Sequence, residues 1–428
     1  MSSPKLIHNI DWITVLLYLI LVFIGWLNIY STTITEEAGS IFNLNLPYGK
    51  QLLFIGLSSV LIIIVISLEA KFYERFSSII YLIFLVLLAG LFIFGKNING
   101  ATSWYNFGGF SFQPSEFAKI ATALAVSKHL SDFQTNISDI KHQLQTLLII
   151  GIPAVLIIAQ PDPGSALVFS AFFFVMYREG LSMAYLIIGT LIIALFITTL
   201  MFGVKWVVIG MGILLSLLYF FRRKSKKKFS FLLFIGIITL TFLFSLSVKY
   251  IFDNVFEQRH RDRFSLWLRL EKDPEKLEEI RKTIGYNTHQ SETTIGSGGL
   301  TGKGFLEGTR TKGNFVPEQH SDYIFTTVGE EWGFVGTTSI VILFTLLLLR
   351  LIILAERQKS KFSRIYGYGV ASILFFHFAI NIGMVIGLLP TIGIPLPLFS
   401  YGGSGLWGFT ILIFIFLKLD ANRVNEWL

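Results

Sequence analysis

The chain has no cysteine in 428 residues, which excludes disulfides, thiolate nucleophiles and cysteine-ligated zinc or iron–sulfur clusters. It is also short of charge. Only 14% of its residues are Asp, Glu, Lys or Arg, against about a quarter in an ordinary soluble domain. With 53% hydrophobic residues, 42 Phe and 8 Trp, a soluble core could not hide the apolar surface, and the bilayer is the solvent that fits. No small-residue cleavage pattern follows the first apolar stretch, Trp12 to Tyr30, so it reads as a retained membrane helix. The formal charge of +8 does not point to nucleic acid. The basic residues fall in short runs between apolar segments, as orientation signals and contacts for anionic lipid headgroups do.

What is abundant is apolar sequence of spanning length, roughly 20 residues per crossing. Candidate spans lie at 12–31, 50–68, 78–95, 115–130, 144–160, 165–180, 183–203, 205–221, 229–248, 324–352, 364–388 and 403–420. They predict an all-α polytopic membrane protein of about twelve helices, a single membrane domain over 1–428. Three basic blocks set its orientation: Lys71 with Arg75, Arg222 through Lys228, and Arg350, Arg357, Lys359, Lys361 and Arg364. With both termini cytoplasmic, all three blocks fall inside, and the uncharged turn from Leu389 to Gly402 falls outside.

One segment, 249–322, is polar, charged and dotted with glycine, and parity puts it outside as a long extracytoplasmic loop. Loops beyond about 60 residues escape the positive-inside rule. Within it, Pro274 to Thr283 predicts a short amphipathic helix with Leu277 and Ile280 on one face. Connections this long are usually functional or form a partner surface.

Ionisable groups at membrane depth are costly and are functional candidates. Glu116 and Lys119, in Gln113-Pro114-Ser115-Glu116-Phe117-Ala118-Lys119, share a helix face. They also fit a plain helix start with an internal ion pair. Asp162, in Gln160-Pro161-Asp162-Pro163-Gly164, is a further candidate or simply a helix cap. In Pro317-Glu318-Gln319-His320-Ser321-Asp322-Tyr323, Ser321 or Asp322 could cap the next span. If the chain is helical from there to Trp332, Asp322 sits about 15 Å outside the apolar run, where a general base could reach a lipid-linked headgroup. Gly296 through Gly304 is glycine-dense but fails the P-loop pattern at Ser297. A nest of its N–H groups with Lys303 could hold phosphate oxygens.

Taken in order, Gln113-Pro114-Ser115-Glu116, Gln160-Pro161-Asp162, Ile295 to Gly304, Pro317 to Phe325, Glu330-Glu331 with Gly333, Pro395-Leu396-Pro397 and Ser400 to Ser404 closely resemble the SEDS family. The resemblance runs from the first span to the last, and Gly304-Phe305-Leu306-Glu307-Gly308-Thr309 is similar to its RodA branch. It implies a ten-helix core, so that 183–248 contains a two-helix insertion. It implies a peptidoglycan glycosyltransferase that polymerises lipid II, the disaccharide-pentapeptide on undecaprenyl pyrophosphate. The work is done at the outer face of the cytoplasmic membrane, for elongation and rod shape, with a class B penicillin-binding protein. Asp322 matches the family's essential aspartate, as general base for the acceptor hydroxyl. Glu116, Lys119, Asp162, Lys303, Glu318, His320, Ser321, Ser400, Tyr401, Gly402 and Gly403 are implied to line the substrate site. Lys119, Lys303, Arg259, Arg261 and Arg263 are candidates to stabilise the leaving pyrophosphate. No cofactor is required by this reading, and a divalent cation is compatible with it. In one departure, Ser103 stands before Trp104 where relatives commonly have Arg. A lipid II flippase, a division-branch polymerase and a recruiting scaffold are the competing readings. Polymer formation in detergent separates the enzymes from the flippase.

Overall fold

The structure is a computed structural model that describes residues 9–34, 40–98, 100–108, 111–222, 231–256, 258–271, 273–283 and 285–423. Two compact units result, Met1–Leu181 with Gln290–Leu428, and Ser182–His289.

The first unit is a helical bundle. Its elements are α1 (Trp12–Thr33), α2 (Pro47–Ser67), α3 (Ala70–Phe94), a three-stranded antiparallel patch of β1 (Lys96–Ile98), β2 (Ala101–Asn106) and β3 (Ser111–Phe112), α4 (Pro114–Ser131), α5 (Ile140–Ile158), α6 (Pro163–Leu167) and α7 (Phe172–Arg178). Local chemistry sets the starts. The Asp11 carboxylate accepts Thr14 N at 2.9 Å at the head of α1, and α2 and α4 open on Pro47 and Pro114, whose fixed φ and missing N–H suit a first helical turn. The small sheet is absent from the all-helical expectation, because its strands are too short to show a period.

The second unit holds α8 (Met183–Arg222), α9 (Phe231–Asn254), α10 (Gln258–Trp267) and α11 (Pro274–Lys282), and α12 (Tyr286–Ser297) leads back into the first. The spans expected at 183–203 and 205–221 are two arms of α8, joined at Gly203 with φ 80° and ψ 161°. Helix α9 packs on α8 and runs to Asn254, beyond the expected 248. The amphipathic helix expected at 274–283 is present as α11, with the Asp273 side chain capping Glu275 N. The segment read as a long loop is thus largely helical. The basic block from Arg223 to Lys228 and the side chain of Arg259 lie outside the described residues.

The first unit closes with α13 (Thr309–Lys312), α14 (Ile324–Glu356), α15 (Lys361–Val385) and α16 (Gly403–Asn422). Among the described residues nine helices are long and apolar enough to cross a membrane, which makes this a multi-pass membrane protein. Helix α4 is not among them, because it carries Glu116, Lys119 and Lys128. The span expected at 165–180 is broken into α6, a 3-10 turn and α7. Burial separates centre from rim: 83% of the most apolar window of α16 and 67% of that of α15 are buried, against 17% for α3. Helix α4 is buried from Pro114 through Ser127 without a break. It lies against α3 and α15, while α16 packs on α2 and α14 packs on α1 and α15.

Helix α14 is broken at Gly333, with φ 63° and ψ −158°, a backbone region open essentially to glycine. The break orphans carbonyls on one side and amides on the other, and apolar surroundings do not tolerate that. The glycine-rich segment after α12 satisfies them. Lys303 N and Gly304 N donate to the Glu330 and Glu331 carbonyls at 3.0 Å each, while Phe334 N and Val335 N donate to the Gly299 and Leu300 carbonyls at 2.9 and 3.0 Å. The fit leaves no room for side chains: a Cβ on Gly302 would lie 2.1 Å from the Glu331 oxygen, and one on Gly333 would lie 2.3 Å from Gly302 N. The nest expected to hold phosphate is therefore a backbone splice, its Lys303 and Gly304 amides already bonded.

At the other end of α14, the basic residues read as orientation signals also make ion pairs. Arg350 binds Asp11 through two nitrogens, Arg357 binds Asp420 with Nε at 2.9 Å, and Arg364 meets Glu179 at 3.2 Å. Burial alone would raise Asp11, but Arg350 and the Thr14 hydrogen bonds hold its carboxyl down at about 2.

The splice predicts opposite results for two glycines in one motif. Gly302→Ala should lower stability by about 2 kcal/mol or more through strain and collision. Gly296→Ala, with nothing within 4 Å of its Cβ, should be neutral or stabilising by up to about 1 kcal/mol. Thermal unfolding of the purified variants in detergent reads both.

Candidate active site

Three backbone segments converge where α14 begins: the 317–323 turn, the 389–402 turn between α15 and α16, and the Pro161–Gly164 bend. The second turn is laced to the first. Tyr401 N donates to the His320 carbonyl at 3.0 Å, and Ser400 Oγ donates to the Ser321 carbonyl at 2.7 Å. Asn381, on α15, is the hinge pin of this arrangement. Its Nδ2 donates to the Asp322 carbonyl and to the Ile394 carbonyl, both at 2.7 Å.

Asp322 is held by this lacing and is half-buried. Its side chain lies against Gly393, where a Cβ would come within 3.4 Å of Oδ2. Gly393 has φ +79°, so glycine serves both the turn and the space beside the carboxylate. The tight protein surround and the negative charges of Glu318 and Asp162 raise the Asp322 carboxyl to about 7. Ser321 does not cap α14. The cap position is Tyr323 without a side-chain bond, and Ser321 Oγ donates to Glu318 Oε2 at 2.9 Å. The chain is helical from Ile324 through Trp332, as expected for that stretch, and turns over only at Gly333.

The neighbours follow. The ring of His320 sits 5.5 Å from that of Tyr401, and burial depresses the imidazole below its ordinary value despite the Glu318 charge. Asp162 caps α6, accepting Ser165 N at 3.0 Å, and accepts a long bond from Gln113 Nε2 at 3.4 Å. Gly402 N donates to Gln51 Oε1 at 3.2 Å, and Gly403 abuts the Phe54 ring. Ser404 Oγ accepts Gln113 N at 3.1 Å, which ties α16 to the head of α4.

Glu116 and Lys119 lie beneath the 389–402 turn. They form a 2.8 Å pair with side-chain exposures of 4% and 2%, buried deeply enough that each charge needs its partner. Lys119 also reaches His377 Nε2 at 2.8 Å. An ammonium only donates, so Nε2 accepts and the hydrogen sits on Nδ1, which donates to the Pro395 carbonyl at 3.2 Å. The pair thereby braces the turn that faces Asp322.

Lys303 belongs to a different group. Its ammonium contacts Glu330 Oε1 at 2.6 Å and Thr309 Oγ1 at 2.9 Å. The buried Glu330 also accepts Arg310 N, Thr311 N and Thr311 Oγ1 at 2.7–2.9 Å. Arg261 donates to the Asp253 carbonyl at 2.9 Å. Among the described residues no group of three or more His, Cys, Asp or Glu side chains is arranged to hold a metal ion.

Sequence reasoning missed His377, Asn381, Gln113 and Gln51. The signal for the first two was present, since both are polar residues inside the apolar span 364–388 and stand one helical turn apart.

The FtsW/RodA/SpoVE cell cycle protein family matches residues 11–209 and 206–425 of the chain. The peptidoglycan glycosyltransferase MrdB of Escherichia coli (strain K12) is 33% identical over 353 residues, 82% of this chain and 80% of that protein. The peptidoglycan glycosyltransferase RodA of Treponema pallidum is 30% identical over 447 residues, 98% of this chain and 99% of its own. A solved peptidoglycan synthase complex, which coordinates polymerization and crosslinking, contains a chain 25% identical with TM-score 0.70, covering 97% of this chain and 99% of that one. The rod shape determining protein RodA of Thermus thermophilus, 24% identical with TM-score 0.62 over 97% of both chains, shares the fold. The chain belongs to the FtsW/RodA/SpoVE family of peptidoglycan glycosyltransferases, on its RodA branch.

Proposed function

We propose that this chain polymerises lipid II into glycan strands at the outer face of the cytoplasmic membrane, with Asp322 as the general base. The observation that carries this reading is a carboxyl raised to about 7, held by main-chain bonds at the mouth of a buried polar bundle. A general base works best with a pKa near the ambient pH. In the step, the acceptor sugar's 4-hydroxyl oxygen attacks the donor's anomeric carbon and its proton passes to Asp322. The bond from that carbon to the pyrophosphate oxygen breaks, and undecaprenyl pyrophosphate leaves with the electron pair. One displacement from an α-linked donor gives inversion and a β-linked strand.

The Glu116–Lys119–His377 set supports the turn against which Asp322 lies, and Ser400, Tyr401 and Gly402 support the mouth. Lys119 and Lys303 already carry carboxylate partners, so the leaving anion draws on other groups. We further propose that 183–248 contains a two-helix insertion, that both termini are cytoplasmic, and that the chain works in elongation. Its partner in that work is a class B penicillin-binding protein, which crosslinks the product.

Four outcomes are expected. With lipid II and its partner, purified Asp322→Asn should make glycan at least about 100-fold more slowly than wild type, and full polymerisation would sink the assignment. Polymerisation by wild type should rise with pH through a limb near 7, as Asp322 loses its proton. Glu318→Gln removes a like charge that holds that carboxyl up, so it should move the limb to lower pH. A pH profile of kcat/KM reads the shift. Because the chain lacks cysteine, Lys276→Cys gives a single label site. An impermeant thiol reagent should label it in intact cells, and labelling only after lysis would reverse the topology.

A further inference from the structure

A groove of about 450 Å³ opens between α1 and α14, roofed by Thr301, Gly304 and Phe305. It is apart from the Asp322 group. Its floor runs along α14 from Trp332 to Leu343, about 15 Å of helix at 1.5 Å per residue, and is apolar along Ile24, Val335 and Ile340. Trp332 and Phe305 mark one end, their rings 6.1 Å apart and both partly exposed.

Besides the hydroxyls of Thr301 and Ser339, two buried polar side chains line this groove, Asn28 and Glu331, with exposures of 0% and 2%. Asn28 Nδ2 donates to the Ile24 carbonyl at 2.8 Å, and Ser31 Oγ donates to Glu331 Oε1. Asn28 Oδ1 and Glu331 Oε2 have no hydrogen-bond partner, while the Leu306 and Gly308 amides are directed at the Glu331 carboxyl. Buried acceptors left so are costly, a carboxylate oxygen most of all.

We propose that the groove holds a phospholipid whose headgroup carries a primary amine, its ammonium at Asn28 and Glu331 and an acyl chain along α14. An ammonium brings three donors and a positive charge, which fits two orphan acceptors of which one is a carboxyl oxygen. A hydroxyl offers one donor and no charge. A partner's membrane helix fits less well. Its backbone donors are used internally, and the groove holds roughly one turn of helix, a 5.4 Å slice of a 10–12 Å cylinder.

Native mass spectrometry of the purified full chain tests this, with phosphatidylethanolamine, phosphatidylcholine and phosphatidylglycerol of one acyl composition. Phosphatidylcholine keeps the zwitterion but has no N–H donor. Phosphatidylethanolamine should bind about tenfold more tightly than phosphatidylcholine, and Glu331→Gln and Asn28→Leu should each erase the preference. Ser339→Phe, on the exposed wall of the groove, should weaken all three lipids without disturbing a buried contact. Equal binding of the two zwitterions, or a preference that survives all three variants, would mean the groove holds only water or chance lipid and would overturn the proposal. A preference for phosphatidylglycerol would overturn the amine assignment. In a Ser339→Cys chain, phosphatidylethanolamine should protect the thiol from alkylation. Protection that needs the partner protein and ignores the lipid would assign the groove to a helix instead.

Discussion

A backbone group that leaves its helix inside an apolar surround must find a partner in the protein, because lipid offers none. Most of the irregular structure here answers that demand. The break at Gly333 is closed by the chain at Gly299–Gly304. Two carbonyls at the mouth, of Asp322 and Ile394, share the Asn381 amide, and the Pro395 carbonyl takes its hydrogen from His377. Thr102 N donates to the Gln160 carbonyl at 3.1 Å, so the small sheet anchors the bend that carries Asp162. The candidate site lies where helices stop, and what stops them safely also holds Asp322.

The electrostatics follow from the same packing. Three buried carboxylates in the core come with cations: Glu116 with Lys119, Glu330 with Lys303, Asp420 with Arg357. Asp322 is the contrast, a carboxyl whose charged neighbours, Glu318 and Asp162, share its sign. A structural carboxylate is better served by a cation, whereas a proton acceptor is better served by what Asp322 has.

Much of this was legible in the sequence, for reasons that can be traced to particular residues. Apolar runs locate helices because the bilayer demands them, and the i, i+3 spacing of Glu116 and Lys119 places them on one face. Asp162 before Pro163 reads as a cap and is one, and Asp273 before Pro274 caps α11 by the same chemistry. What was not legible depends on partners far away in the chain. Lys119 meets His377 across 258 positions, and no local pattern announces it. The break in α14 was hidden because an apolar run has the same composition whether or not one glycine in it turns the backbone over. For the same reason Gly296 to Gly304 looked like an anion nest, when the groups that occupy its amides are the carbonyls of Glu330 and Glu331.

The splice has one more consequence, in the entropy of the chain. Residues between Gly304 and Glu330 form a ring stitched at its base, and Asp322 rides within it. Closing a flexible stretch of about 25 residues costs entropy that grows with the logarithm of its length. Here that cost falls at folding and does not recur at each sugar added. The ring also limits slack, since four backbone bonds close its base. For the general base proposed at Asp322, such a tether keeps the carboxylate in register while a strand grows past it.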